Sequence, residues 1–265
     1  MREVEITSIH QMTPSVKQFE VVADEPFEYR PGQHTHLHFE RDEAGSAGDH
    51  TGGDSDDQSG GEDSDDGSDG DSDDDSDEVV RPYTATSLPG TDTITLAIRR
   101  YDDGTASVYM HDRQPGDTVR IEDLDGNLYL RDLDADVTLV STGTGITPMI
   151  AMLKQYLEEG SGEVYFLYGE KTQEDVMYRE TLDQFEADHE NLTVVYSLSE
   201  EDWDGPTGHV QEHLADVVPD VSDTDCYVCG VPEMVVETKD RLAELGVPDD
   251  RVYSEGWEDD EVADE

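Results

Sequence analysis

Apolar and polar positions alternate along the first third of the chain. Val4, Ile6 and Ile9, then Val16, Phe19 and Val21, then residues 35–39 mark three strands. Pro14, residues 24–26 and Pro31-Gly32 punctuate them. Strands resume over 79–86 and 93–100, the second alternating Ile94, Leu96 and Ile98. A short helix is expected over 107–112, a strand around Val119, and a turn at Asp125-Gly126-Asn127. Many short strands at close spacing predict an antiparallel barrel.

From Val137 the period changes. Short apolar, β-branched runs at 137–141, 164–168, 192–197, 225–229 and 252–254 read as strands buried on both faces. Between them, helical spacing predicts helices over 148–158, 174–186, 209–217 and 232–245. Five strands with four crossovers make a doubly wound parallel sheet, whose ligands bind beyond the carboxyl ends of the strands. Gly143, Gly169 and Gly230 stand at those ends. Gly160 is expected to cap the first helix in the left-handed conformation.

The turn Gly143-Thr144-Gly145-Ile146-Thr147-Pro148 joins the first of these strands to its helix. Strand, Gly-x-Gly turn and helix together present backbone N–H groups and a positive helix end to a phosphate. Pro148 suits the first helical turn, where its missing donor costs nothing. It also stands where a dinucleotide fingerprint has its third glycine, so the turn alone would be an ordinary βα connection.

Charge adds a second theme. The 265 residues carry 68 acids against 16 bases, a net of -52. Residues 42–78 hold 17 of the acids, no Lys or Arg, and no apolar residue larger than alanine. That stretch is expected to be a disordered acidic insert in a surface loop, with no calcium-loop spacing. The remaining acids are spread over a periodic, core-forming sequence, which points to a folded protein adapted to molar salt, where the Debye length is about 3 Å. Such a surface disfavours nucleic acid and anionic membranes as partners. No apolar run is long enough to span a membrane, the N-terminus reads as a strand, and two cysteines build no disulfide framework. A cytoplasmic protein is expected. His34, His36 and His38 share one strand face; without a further ligand set they read as a polar barrel face, and no metal is expected. Cys226 lies within a strand and reads as packed core, so Cys226-x-x-Cys229 is not expected to be a redox pair.

Five motifs in order resemble the ferredoxin–NADP reductase-like flavin reductases: Arg81-Pro82-Tyr83-Thr84, Gly104-x-x-Ser107, Gly143–Pro148, Cys229-Gly230-Val231-Pro232 and Glu255-Gly256-Trp257. The resemblance spans nearly the whole chain outside 42–78 and an acidic tail, 258–265. It implies a Greek-key FAD barrel at 1–132 and an NAD(P)-binding α/β domain at 133–257, moving hydride from NADH or NADPH to FAD and then electrons to a separate acceptor, a ferredoxin-like protein or a small molecule. An alternative is a non-enzymatic flavin sensor or electron-transfer regulatory subunit.

The same resemblance assigns roles. Arg81 would hold the FAD pyrophosphate, Tyr83 the isoalloxazine or ribityl chain, and Thr84 flavin N5. Gly104, Thr105, Ala106 and Ser107 would bind the FAD phosphates. Either Arg99 or Arg100 would face the cofactor, since a strand turns only one of them inward. Gly143, Thr144, Gly145, Thr147 and Pro148 would take the nicotinamide dinucleotide. Cys229, with Gly230, would sit beside nicotinamide C4 with Glu255 near; Trp257 would pack at the flavin edge or simply close the domain. Two departures stand out. Glu122-Asp123 replaces the glycine-proline pair before the turn at Gly126, and at the 2′-phosphate end of the dinucleotide Ser197 and Ser199 would supply hydroxyls while Leu198 stands where NADPH users often have arginine. Lys171 is the nearest basic substitute, so NADH is expected to serve at least as well as NADPH.

Overall fold

The computed structural model describes residues 1–41, 78–101 and 104–255. The acidic insert up to residue 77, Gly256, Trp257 and the tail lie outside the described residues. Six strands build the first sheet: β1 (Arg2–Gln11), β2 (Val16–Val22), β3 (His34–Glu40), β4 (Glu78–Thr84), β5 (Thr93–Arg99) and β6 (Thr118–Ile121). Their spatial order is β4-β3-β6-β1-β2-β5, every pairing antiparallel. Just past β4, Ala85 bridges to Leu96 of β5 and Thr86 donates to the Thr95 carbonyl at 2.8 Å, so the sheet's two ends meet and the barrel closes.

Alternation decides which face goes inward. Val4 and Ile6 of β1 are buried between exposed Glu3 and Glu5, and they join Phe19, Leu37, Phe39, Ile94, Leu96 and Ile121 in one core. The helix α1 (Thr105–His111) lies against this core, with Tyr109 stacked on Phe39 at 4.1 Å between centroids. Glu78 proves to be the first residue of β4, opposite Glu40, rather than the end of the insert. The chain therefore leaves β3 and re-enters β4 at neighbouring positions, the geometry of a hairpin.

The second sheet is wholly parallel, in the order β11-β10-β7-β8-β9. Its strands are β7 (Val137–Thr142), β8 (Val164–Glu170), β9 (Leu192–Leu198), β10 (Asp225–Cys229) and β11 (Val252–Ser254). They alternate with α2 (Ile146–Glu159), α3 (Arg179–Asp188), α4 (Leu214–Val217) and α5 (Pro232–Glu244). β7, the central strand, is buried from Val137 through Ser141, which accounts for its unbroken apolar reading. The order reverses between β7 and β10, so the crevice beyond those two strand ends is the expected ligand site. Val16, Ala97 and Leu128 pack into the same core cluster as Met149, Met152 and Tyr227, so apolar contact is continuous between the two sheets.

Four local expectations change. α2 begins at Ile146, after a 3₁₀ turn over Gly143–Gly145, and Pro148 falls inside its first turn. The helix expected over 174–186 starts only at Arg179, because Tyr178 adopts a left-handed conformation (φ 55°) and sends its hydroxyl to Thr86 Oγ1 of the barrel at 3.2 Å. The helix expected over 209–217 is a 3₁₀ turn, Val210–His213, plus the single turn of α4. Gly208 (φ 93°) and its two ties to the end of β9, a 3.0 Å backbone bond to Leu198 and a 2.8 Å bond from Ser197, fix that segment's entry. Gly160 is extended (φ -81°, ψ 162°), not left-handed. It is glycine for lack of room: a Cβ there would lie 2.7 Å from Tyr156.

Candidate functional site

The loops after β7 and β10 meet at the switch point by backbone approach. A Cβ on Gly145 would stand 2.2 Å from the Cys229 carbonyl oxygen, and one on Gly230 would stand 2.3 Å from Thr142 Oγ1. Gly145 therefore admits only glycine, and a side chain at Gly230 would have to displace Thr142 Oγ1 and the end of Met234. Gly143 needs glycine for its backbone (φ 56°). Thr147 closes the turn by donating to the Thr144 carbonyl at 2.9 Å. No side chain caps the 3₁₀ turn or α2, and the Ile146 N–H returns to the Gly143 carbonyl, so the N–H groups that can meet a ligand are those of the Gly143–Gly145 turn itself.

A cavity of about 230 Å³ opens beside this turn, lined by Gly143, Glu170, Lys171, Ser199 and Val231 and reached from the barrel by Arg99. Arg99 ends β5, and its Nη2 lies 2.6 Å from Glu170 Oε1 at the end of β8. Tyr168 donates to the same carboxylate at 2.8 Å. Burial pushes the Glu170 carboxyl up, and Arg99 opposes that rise. The Nε of Arg99 is buried without a partner. Arg100 faces out, 3.7 Å from Asp112. One arginine of the pair does turn inward, as alternation requires, but it turns toward the cavity at the parallel sheet rather than toward the Gly104 turn.

Lys171 is exposed and held 2.9 Å from Glu200. Ser197 is fully buried and spends its hydroxyl on the Gly208 carbonyl at 2.8 Å; Ser199 lines the cavity instead.

On the barrel, Arg81 is exposed, its guanidinium donating to the Val80 carbonyl at 2.7 Å. Tyr83, two residues on along the same strand face, is half-buried, and burial raises its hydroxyl to about 12. At the start of α1 the Gly104 turn is closed by Ser107, whose Oγ accepts from Tyr101 N–H (3.1 Å) and donates to the Gly104 carbonyl (3.2 Å). A Cβ on Gly104 would fall 2.4 Å from that Oγ, and no side chain caps the helix that follows at Thr105 and Ala106.

Thr84 stands directly across from His34 in the β3–β4 register. His34 Nδ1 lies 3.5 Å from Glu255 Oε2, and Glu255 Oε1 accepts the Asn127 N–H at 3.2 Å. Glu255 raises the His34 pKa. Cys229 is half-buried, and burial with the nearby Glu255 charge raises its thiol to about 12, so it is a neutral S–H. Thr84, Cys229 and Glu255 thus converge where the barrel meets the parallel sheet. Sequence reasoning missed His34, Asn127 and Glu170; the only signals were the alternating histidines and an acid following Gly169.

Glu122, which replaces the glycine-proline pair, accepts from His38 Nε2 at 2.8 Å and lies 3.3 Å from His36 Nδ1. Its backbone N–H donates to the His36 carbonyl (3.0 Å), and Asp125 bridges His34, so the loop runs on as a partner of β3 as far as Asp125. Among the described residues no group of three or more His, Cys, Asp or Glu is placed to hold a metal.

A barrel joined to a doubly wound sheet, with a glycine turn and a thiol at the switch point, defines a two-domain flavin and nicotinamide oxidoreductase. A family model of the oxidoreductase NAD-binding domain matches residues 139–240. Ferredoxin–NADP reductase B of Sorangium cellulosum is 31% identical over 68% of this chain and 79% of its own length. The ferredoxin reductase component of 3-ketosteroid-9-alpha-monooxygenase from Mycolicibacterium smegmatis is 32% identical over 67% of this chain, which spans 50% of that protein. The FAD/NAD-binding domain of a Vibrio cholerae nitric oxide dioxygenase shares the fold (TM-score 0.78, 20% identity, 97% of this chain and 99% of that one). So does a Neisseria gonorrhoeae ferredoxin NADP+ reductase with bound FAD and NADP (TM-score 0.68, 19% identity, 96% and 97%).

The chain belongs to the ferredoxin–NADP reductase-like family of FAD-dependent NAD(P)H oxidoreductases. It takes electrons from a nicotinamide dinucleotide through FAD to a separate acceptor. The residues present fit both groups: no side chain caps the helices behind the two phosphate turns, and Arg99 Nε, on the residue whose guanidinium approaches Gly143, is buried without a partner.

Proposed function

We propose that this protein oxidises NADH at least as well as NADPH, divides near residue 132 into an FAD half and a dinucleotide half, and works in the molar salt of a halophilic cytoplasm. Its acceptor is a ferredoxin-like protein or a small molecule. The observation that carries the reading is the convergence of Thr84, His34, Glu255 and Cys229, because it joins the barrel strand bearing the flavin motif to the loop closing the dinucleotide crevice.

When bound, FAD accepts a hydride at N5 and releases electrons one or two at a time. The chain's contribution is placement. Arg81 and the N–H groups from Thr105 to Ser107 would hold the FAD phosphates, Tyr83 would support the ring system, and the Thr84 hydroxyl would be the donor toward N5. The turn at Gly143, Thr144, Gly145, Thr147 and Pro148 takes the dinucleotide phosphates on the α2 N-terminus. Cys229, as a neutral thiol beside Gly230, keeps charge away from nicotinamide C4 while packing against it. Glu255, held by His34 and Asn127, fixes the other side of that contact. Holding the dinucleotide against the flavin in one orientation would lower the barrier to hydride transfer by proximity.

Preference for NADH is supported by the adenosine end. Lys171 is already paired with Glu200, Ser197 is buried, and Leu198 offers no cation, so among these three residues a 2′-phosphate finds no free cation. The test is a spectrum of purified protein in high KCl, before and after each dinucleotide. A releasable FAD spectrum bleached by NADH is expected; FMN, no flavin, or an unbleached flavin overturns the reading.

A further inference from the structure

Thr86 is buried two residues beyond Thr84, just past the strand that carries the flavin motif. Each of its polar groups is engaged. Its N–H and its hydroxyl both donate to the Thr95 carbonyl of β5, at 2.8 and 3.2 Å. Its carbonyl accepts from Lys154 Nζ at 2.7 Å, and its Oγ1 accepts from the Tyr178 hydroxyl at 3.2 Å. The first two bonds stay within the barrel. The other two come from the parallel sheet's side: Lys154 stands on α2, which follows the dinucleotide turn, and Tyr178 immediately precedes α3. The Lys154 ammonium also lies 6.0 Å from the centroid of the Tyr178 ring. Two elements of one domain thus close on a single residue of the other.

Neither group reaches Thr86 for the sake of its own stability. Tyr178 is, among the described residues, the one non-glycine residue with a positive φ (55°). A bulky side chain is strained in that region, and the strain persists only where surrounding contacts impose it. Glycine or asparagine would relieve the backbone, but neither could span the gap to Thr86. Lys154 is half-buried and, in a chain with 68 acids, has no carboxylate partner among the described residues. Burial pushes its ammonium down, the mark of a charge held away from water with little to offset it.

We propose that Lys154 and Tyr178 are positioning residues: by gripping Thr86 they set the strand bearing Thr84 against the helix bearing the Gly143 turn, and so fix the gap that hydride crosses. The proposal rests on the reading that Thr84 faces the flavin and the Gly143 turn takes the dinucleotide.

The need for such a grip follows from what else joins the two sheets. Their shared core is apolar, and apolar contact is non-directional, so it resists separation more than sliding. The Arg99–Glu170 pair fixes one point between barrel and sheet, and one point leaves rotation about itself. Thr86 supplies a second point on a different strand, through hydrogen bonds that weaken steeply off their preferred angle. Hydride transfer senses a rotation of this kind, since a misplacement of about 1 Å at the reacting atoms can cost about 10²-fold in rate.

The test separates placement from stability. Tyr178→Phe keeps the ring and loses the hydroxyl; Lys154→Met keeps the length and loses the ammonium. In high KCl, stopped-flow absorbance gives the limiting rate of flavin reduction by NADH and the half-saturating NADH concentration. The two substitutions together are expected to lower the limiting rate about tenfold, while half-saturation and FAD content stay within about twofold of the parent. Thr86→Val should match Tyr178→Phe, and the two combined should be no slower than either alone, because each removes the same bond. Thr86→Ser, which keeps the hydroxyl, should keep the parent rate. A parent limiting rate in the Lys154→Met, Tyr178→Phe protein overturns the proposal even if its Tm falls, as does a rate loss matched by loss of FAD or of NADH binding. Pulsed EPR reads the grip without turnover. Nitroxides on Glu3→Cys of β1 and Glu180→Cys of α3 are placed in a Cys229→Ser background, where the remaining Cys226 is fully buried. They should give a narrow distance distribution that the double substitution widens or displaces; an unchanged distribution overturns the grip. If NADH fails to bleach the parent flavin, the assigned activity falls instead, and the EPR comparison still decides whether Lys154 and Tyr178 hold the two sheets in place.

Discussion

Arg99 and Glu170 meet at 2.6 Å across the junction of the barrel and the parallel sheet, the one ending β5 and the other ending β8. The pair is well shielded, with the two side chains 18% and 4% exposed. The single Tyr168 hydroxyl proton is shared between the carboxylate at 2.8 Å and the Gly143 carbonyl at 3.2 Å. One carboxylate thus ties the barrel to the turn that receives the dinucleotide.

Breaking that pair from one side should be costly. Arg99→Ala leaves a buried carboxylate without its cation, and a loss of about 3–5 kcal/mol is expected. Denaturant titration in high KCl measures it. A double variant, Arg99→Met with Glu170→Leu, should recover most of the loss, because it removes both desolvated charges together. A double variant no more stable than Arg99→Ala would show that the pair matters through the Gly143 turn and not through its charges.

Cys229→Ser should retain FAD yet slow the reduction of the bound flavin by NADH, read by stopped-flow absorbance. Because the thiol is raised to about 12, the parent's reduction rate should show no break between pH 7 and 9 (about the range of an unperturbed thiol) that disappears in the variant. Such a break would mean that Cys229 titrates as an exposed thiol and is not packed in the crevice.

The His34–Glu255 contact makes stability depend on pH with a definite sign. Glu255 raises the folded-state pKa of His34, so its stabilisation is complete below the ordinary histidine value, about 6.5, and fades as pH rises through the folded value. The Tm difference between parent and His34→Asn should be largest near about pH 6 and shrink in alkaline buffer. A difference that grows with pH would contradict the contact.

Release of Lys171 should shift dinucleotide choice. Glu200→Gln removes its 2.9 Å partner, and kcat/KM for NADPH is expected to rise a few-fold while that for NADH stays constant. A parent preference for NADPH of tenfold or more, about 1.4 kcal/mol of transition-state binding, would show that another group reads the 2′-phosphate.

Because Glu40 and Glu78 are cross-strand neighbours, residues 42–77 can be replaced by a short turn. The shortened protein should keep FAD and NADH oxidation. Its Tm should still rise between roughly 0.1 M and 3 M KCl, as the Debye length falls from about 10 Å to a few Å or less, because most acids lie outside the segment. A flat Tm would remove salt adaptation.

The sequence by itself determined both sheets, since a period of two and the βα alternation are local properties of the chain. It also determined the glycine turn at Gly143, the buried place of Cys226, and the position of Cys229 at a strand end. Only the tertiary structure decided what those elements face. Arg99 turned out to serve the cavity of the parallel sheet, because its partner Glu170 comes from a strand of the other sheet. Ser197 proved to be a structural tie to Gly208, and the helix after Lys171 was cut short where Tyr178 reaches the barrel. The His34–Glu255 contact was invisible for the same reason: it depends on which strand ends the fold sets side by side, and no window of neighbouring residues carries that information.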